Sequence, residues 1–521
     1  MSDLLRRSTG ALTAAGIVLG TCLSSPASIA LAASEGAPHS HPALVEWAGF
    51  AGNAQHTAAA SARPQPFTRI RWRTKVDLHP QADQDIHYGS PMITAANTVL
   101  VPTRVSAKSG FRVVAFSGAN GTQRWSLGTD WTPARQTTSM SEDAPPLPAV
   151  LTPSATLAVA GAGGTVLLRA HANQKAGSVR RVAFYGTAQW KAHRAAYDKA
   201  VQIITPLTAG PDGSIYFGFV VNAPTPAHLT TGIARIAADG HATWISAARA
   251  GGNRKIKFVA FNCAPALSRN GKTVYIAEFG SPASVLVGLD AATLKPKYRV
   301  AMKDPATGKQ AILSISSTAS PTIGPDGDVY FGVIENSLPG HDGRGWLLHF
   351  NATLTKAKIP GSFGWDNTVS VLPASAVPSY HGTSSYLLAS KYNNYYRGVP
   401  HGDGLNRVAL LDPAASQKDP YANVETMKAV ETVLSPVRDP HASSGARYEW
   451  CINSAVVDPA DDSVIVNSEA GIVYRWNLTT GKLAEKIHLN APKTEAYTPT
   501  IIGPDGTVYA INNATLYAIG R

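Results

Sequence analysis

The chain has 521 residues, of which 44% are hydrophobic and only 15% charged, with 45 glycines and 36 prolines. This turn-rich, charge-poor make-up excludes coiled coils and long helical bundles, which need runs of Ala, Glu, Lys and Leu, and its hydrophobic share excludes intrinsic disorder. The formal charge is +12, from 46 basic and 34 acidic residues, but the basic residues are scattered and no helix-turn-helix, zinc-finger or RNA-binding signature accompanies them, so no nucleic-acid partner is expected.

Residues 1–32 read as an export signal: Arg6 and Arg7, an apolar stretch from Ala11 to Leu23, then Ala30-Leu31-Ala32 as the cleavage region. The expected destination is the periplasm or the outside. Ser8-Thr9-Gly10 stand where a twin-arginine signal would carry apolar residues, which favours ordinary secretion. Leu19-Gly20-Thr21-Cys22 has the outline of a lipoprotein cleavage site with an ill-fitting Thr, so lipid anchoring at Cys22 stays open. No other stretch approaches the roughly 20 apolar residues of a membrane span. Residues 33–66 are expected to be a linker and lead-in segment, and residues 67–521 a single domain. Once the signal is removed, Cys263 and Cys451 remain, with no C-x-x-C to bind zinc or attach haem. Whether the two pair is open.

The first strand of the domain is read over residues 70–76, where Ile70-Arg71-Trp72-Arg73-Thr74-Lys75-Val76 alternates apolar and polar. An internal repeat then begins: a Pro-containing apolar strand, a turn usually carrying Gly, and a second strand rich in Val, Ile and Tyr. Its clearest copies contain Gly210-Pro211-Asp212-Gly213, Gly324-Pro325-Asp326-Gly327 and Gly503-Pro504-Asp505-Gly506. Looser copies begin at Pro91, Pro148, Pro265, Pro373 and Ala455, and successive starts lie 52 to 59 residues apart except for one interval of 82 and one of 44. Eight such units predict an all-β, eight-bladed β-propeller of four-stranded blades. Asp-Gly supplies the positive φ of a tight hairpin turn. A second phrase closes several units, as in 115–125 ending on Trp125, 288–298 ending on Tyr298, and the turn at 476–482, with an aromatic placed to plug the gap between blades. The last unit ends at Arg521 after its third strand, so the strand at 70–76 is predicted to complete the eighth blade and remove two exposed edges.

These closing phrases are similar to the A-x-D-x-x-T-G-K-x-x-W motif of the pyrroloquinoline-quinone-repeat propellers, the quinoprotein alcohol dehydrogenase-like superfamily. Residues 47–57, from Trp47-Ala48-Gly49-Phe50 to His56-Thr57, likewise resemble the W-x-x-F-x-G-x-x-x-H-T segment that precedes the first blade in many members. The resemblance spans about residues 47–521 and implies the fold. It leaves activity open, because the superfamily holds quinone-dependent dehydrogenases, outer-membrane assembly scaffolds and secreted propellers of no assigned role. The vicinal cysteine disulfide of the large alcohol dehydrogenases is missing here. A quinone held beside Ca²⁺ also needs six to eight converging oxygens, and Glu449, Asp85, Asp366, Asn367 and Asn262 are the candidates, with Glu449 and Asp366 as first metal ligands.

In propellers, ligands usually meet the loops entering each innermost strand and those joining strands two and three. This places Asp85, His87 and Tyr88 at blade one, Asn262 at blade four, Asp366 and Asn367 at blade six, Glu449 and Trp450 at blade seven, and Tyr497 at blade eight. The plainer reading is that these residues line a wet channel. The long insertion of blade six brings Lys391, Asn393, Asn394, Tyr395, Tyr396 and Arg397, types suited to sugar or peptide contacts. In blade five, His341, Asp342 and Arg344 suit an anion or a surface salt bridge. Gly161 to Thr165 reads as a hairpin, since no Lys follows as in a phosphate loop. Two functions follow: a non-catalytic, monomeric binding or scaffold propeller for a carbohydrate, peptide or envelope protein, without a cofactor, or a dehydrogenase of alcohols or sugars using pyrroloquinoline quinone (PQQ) with Ca²⁺.

Overall fold

The structure is a computed structural model that describes residues 43–80, 88–106, 110–134, 147–281, 283–313, 319–336, 343–364, 366–394, 402–440, 446–450, 454–492 and 499–521. Their strands form eight antiparallel sheets, the blades of a β-propeller. Blade one runs outward from the channel through Met92–Thr94, Thr98–Arg104, Phe111–Ser117 and Gln123–Thr129. The plan recurs from innermost strands at Ala149–Leu151, Thr208–Ala209, Ala266–Leu267, Thr322–Ile323, Ser370–Pro373, Val456–Asp458 and Thr500–Ile502. Blade six corrects the repeat register. Val371 donates its N–H to the Thr57 carbonyl as Ile323 does to Gln55, so Val371 is the counterpart of Ile323, and the unit begins four residues before Pro373, which ends its strand.

The repeat forms hairpins for a local reason. In each Pro-Asp-Gly turn the Asp Oδ1 accepts the N–H two residues on: Ser214 to Asp212 at 3.0 Å, Asp328 to Asp326 at 3.0 Å, Thr507 to Asp505 at 3.1 Å. The Gly between takes φ of 78°, 90° and 78° at Gly213, Gly327 and Gly506, where other residues would be strained. A tyrosine two residues past the donating amide, or at the same place in the strand, then joins blades. Tyr216 donates to the Ala291 carbonyl of blade four, Tyr275 to Ala352 of blade five and Tyr509 to Gly118 of blade one, at 3.0, 2.6 and 3.4 Å. The closing aromatic works as expected: Trp125 is buried and donates its indole N–H to Ala172 of blade two at 3.0 Å, with the Arg169 guanidinium 3.6 Å from its ring. Gly161 to Thr165 links two paired strands, Leu157–Ala160 and Thr165–Arg169.

The ring closes as the alternation predicts. Arg69–Lys75 pairs antiparallel with Thr515–Gly520 as the outermost strand of blade eight. Its Trp72 repeats the role of Trp125, donating to the Gly118 carbonyl of blade one at 3.0 Å and packing on Phe116 and Tyr509.

Two features go beyond the repeat. Residues 43–66 are packed against the ring rather than free of it. Val45–Trp47 pairs with the innermost strand of blade one, and the following carbonyls accept the N–H groups of innermost strands in turn: Ala48 from Leu151, Ala54 from Leu267, Gln55 from Ile323, Thr57 from Val371 and Ala58 from Val457, at 2.7 to 2.9 Å. The innermost edges are thus satisfied by a segment crossing the turn side of the channel. It needs tight bends, and Ala51, His56 and Ala58 take left-handed φ of 45°, 59° and 49°.

In blade five, the fourth position is held by residues making isolated bridges, Leu347 to Gly361 and Phe350 to Ala357. The long hairpin of blade six, Arg407–Lys418 with Glu425–Leu434, covers that edge. Met427 donates to the Pro360 carbonyl at 2.7 Å, and Ser362 meets Thr426 at 2.9 Å. No described helix is long and apolar enough to cross a membrane.

Candidate functional site on the loop face

In an antiparallel blade, the hairpins joining strands one to two and three to four gather on one face of the ring, and the remaining links gather on the other. The lead-in segment occupies the hairpin-turn face. Of the residues nominated from the sequence, Asp85, His87, Tyr395, Tyr396, Arg397 and Tyr497 lie outside the described residues, as do Cys451, His341, Asp342 and the export signal with Cys22; the described ones belong to the opposite, loop-bearing face.

The described candidates are built into the ring. Tyr88 packs in the core shared by blades one and eight and is 8% exposed. Asn262 is buried with φ 57°, a conformation Asn tolerates, and its N–H bonds the Ile204 carbonyl of blade three at 3.0 Å. Beside it, Cys263 is a free thiol, and complete burial pushes its pKa up to about 12, which makes it inert as a nucleophile near neutrality. Asp366 is buried with φ 49°. Asn367 donates its amide to Ser390 Oγ at 2.7 Å.

At blade seven, Glu449 is half-buried and its carbonyl accepts the Glu469 N–H at 3.3 Å. Trp450 is fully buried and edge-on to Tyr474. Asn393, assigned from the sequence to the blade-six insertion as a binding residue, holds Trp450 through both ends of its amide, accepting from the Trp450 N–H at 3.3 Å and donating to its carbonyl at 3.4 Å. The indole donates to the Asn406 carbonyl at 3.3 Å, and the Asn406 amide donates to Arg447 at 2.9 Å. The base of the insertion is therefore clasped by residues 447–450. Lys391 belongs to the strand Tyr386–Tyr392 and is buried, rather than lying in the inserted loop.

Arg344 departs from the expected surface salt bridge. It is buried and pairs through Nη1 with both Asp419 oxygens at 3.3 Å, at the tip of the blade-six hairpin. Tyr421 at the same tip stacks on the guanidinium, 4.8 Å from the ring centre, and its hydroxyl meets Asp403. Burial alone would raise the Asp403 carboxyl, but the Leu405 N–H and Arg407 bonds hold it below the usual range. The insertions of blades five and six thus lock to each other. The sequence carries no signal for this, because the partners are 75 residues apart.

A further pattern was not read from the sequence. Hydroxyls tie innermost strands across neighbouring blades: Ser320 Oγ accepts from the Ala264 N–H at 2.8 Å, and Thr368 Oγ1 from the Ser320 N–H at 3.0 Å. Among the described residues no three His, Cys, Asp or Glu side chains are grouped to hold a metal ion. Of the residues named for Ca²⁺ beside a quinone, Asp85 lies outside the described residues, and Asn367 uses its amide nitrogen on Ser390 Oγ.

No protein-family profile matches the sequence, and no curated protein matches it. Among solved structures, the quinohemoprotein alcohol dehydrogenase from Comamonas testosteroni aligns over 91% of this chain and 81% of its own, at 11% identity and a TM-score of 0.54. The chain shares the eight-bladed propeller fold of that enzyme. Two other similar structures are a europium-containing methanol dehydrogenase, with TM-score 0.49, 10% identity and coverage of 90% and 89%, and BamB from Moraxella catarrhalis, with TM-score 0.42, 11% identity and coverage of 87% and 97%. An identity of 11% at a TM-score of 0.54 speaks for the propeller fold alone and leaves the chemistry of this chain to its own residues.

Proposed function

We propose that this quinoprotein-like propeller is a non-catalytic binding or scaffold module, exported by its N-terminal signal to the periplasm or outside and acting as a monomer. Its loop face, with the blade-six insertion, would hold a carbohydrate, peptide or envelope protein. The observation that carries the reading is the commitment of polar groups beneath that face: the Asn367, Asn393 and Asn406 amides and the Arg344–Asp419 pair are bonded to the ring itself. This gives rigid support to a rim of loops, the arrangement a recognition surface needs.

The test is calorimetric titration of the purified protein with pyrroloquinoline quinone and Ca²⁺, followed by dye reduction on a panel of alcohols and sugars. No quinone binding, together with capture of envelope partners that is lost when residues 395–401 are replaced by a Gly-Ser linker, is the expected result. Micromolar binding with turnover would overturn it in favour of a quinone-dependent dehydrogenase.

A further inference from the structure

The hairpin-turn face carries a cavity that neither the repeat nor the loop face explains. It lies in the seam between blades five and six and has a volume of about 490 Å³, within the range of small-molecule pockets. Its origin is a local substitution in the repeat. In blade three the residue opposite Tyr216 is Arg235, which reaches Ser214 Oγ at 2.8 Å and Asp212 at 3.4 Å and fills the turn. Arg71 serves the same turn in blade eight, bonding Asp505 and Thr507. In blade five the residue opposite Tyr330 is His349, which is shorter, and the fourth strand is reduced to bridges, so the space stays open.

The walls are chemically ordered. His349 is buried and uses both ring nitrogens, Nε2 with Asp328 Oδ2 at 2.9 Å and Nδ1 with the Ile359 carbonyl at 3.2 Å. Lys358 bonds the same Asp328 oxygen. Tyr386 donates to Asp326 Oδ1 at 2.9 Å. No described residue takes the other oxygens, Asp328 Oδ1 and Asp326 Oδ2, which remain as fixed acceptors. At the mouth stand Lys356 and Ser385, both exposed, and Pro413 and Ile359 give apolar faces.

We propose that this seam is a binding site for a sugar acid, a pyranose ring carrying a carboxylate. Its hydroxyls would donate to the two aspartate oxygens, its carboxylate would meet Lys356 and the free hydrogens of Lys358, and its ring face would lie on Pro413 and Ile359. The site is on the opposite face from the proposed recognition rim and stands or falls separately from it.

The experiment is calorimetry, with saturation-transfer NMR, on the full chain titrated with glucuronate, galacturonate, glucose and acetate. The expected result is saturable binding of at least one hexuronate, with glucose and acetate at least about tenfold weaker, the size of effect that loss of a charge-assisted bond produces. Lys356→Ala should weaken the hexuronate about tenfold, and Ser385→Leu should obstruct the mouth; both positions are exposed, so unchanged melting confirms folding. Binding of neither hexuronate, glucose binding as well as the acid, acetate competing as well as the acid, or both folded variants binding like the parent would each overturn the proposal.

Discussion

Replacing Trp72 with Ala tests whether the N-terminal strand is a structural clasp. A fully buried Trp→Ala change costs about 3–5 kcal/mol; Trp72 is half-buried, so its packing on Phe116 and Tyr509 is worth about 2 kcal/mol by that scale. Loss of the indole bond to the Gly118 carbonyl adds about 1 kcal/mol, and no more, since the Tyr509 hydroxyl also reaches that carbonyl. The total is about 3 kcal/mol, while Trp72→Phe, which keeps a ring but loses the donor, should cost about 1 kcal/mol. In a domain this large each kcal/mol moves the melting point by roughly 1 °C, so calorimetric melts should fall by about 3 °C for Ala and about 1 °C for Phe. A Trp72→Ala melt within about 1 °C of the parent would refute the reasoning, because the indole would then add nothing to closure.

Other expectations concern buried charge. Glu278 is fully buried with neither oxygen hydrogen-bonded, and burial pushes its carboxyl well above the usual range against the pull of Arg299. The folded chain keeps a proton that the unfolded one loses near pH 4.3, so stability is full below about pH 4.3 and falls as pH rises towards the folded value. Glu278→Gln should remove that slope in urea midpoints compared at about pH 4.5 and 7.5; identical parent and variant slopes would count against it. His56 runs the other way: burial lowers its pKa from 6.5 to about 4, although its bond to the Pro321 carbonyl opposes this. Its contribution, about 3 kcal/mol, is present above about pH 6.5 and lost as pH falls towards 4. Amide exchange at Ile323 and Val371, which donate to the lead-in segment, should quicken at about pH 5 relative to global opening. Arg344→Met strands Asp419 and should cost about 3–5 kcal/mol, with Arg344→Met/Asp419→Asn recovering most of it; equal melts for the single and double variants would argue against the pair.

What could be read in advance was short-range chemistry. Asp212-Gly213, Asp326-Gly327 and Asp505-Gly506 announce their turns because side chain and bent backbone are neighbours in sequence, and Trp125 and the strand at 70–76 show their roles by spacing. Pro373 misled because proline is compatible with either end of a short edge strand, and only the bond from Val371 to Thr57 sets the register. The crossing of residues 43–66 has no period to read, since successive residues meet different blades and three non-glycine residues take left-handed φ. At the loop face, Asn393 and Lys391 looked like ligand contacts by type alone, but their surroundings depend on partners such as Trp450, 57 residues away. Arg344 likewise meets Asp419 through a hairpin whose bend no local residue signals.

The lead-in segment also ties assembly to the direction of synthesis. Thr57 and Ala58 hydrogen-bond to Val371 and Val457, about 300 to 400 residues later in the chain, and Arg69–Lys75 has no sheet to join until Thr515–Gly520 exists. Each blade can pair its own hairpins, and residues 45–58 find their partners in blades one to seven, but the strand Arg69–Lys75 must wait for the last blade. A purified fragment ending before blade eight should leave Arg69–Lys75 open to proteases while the crossing segment stays protected, and the full chain should protect both.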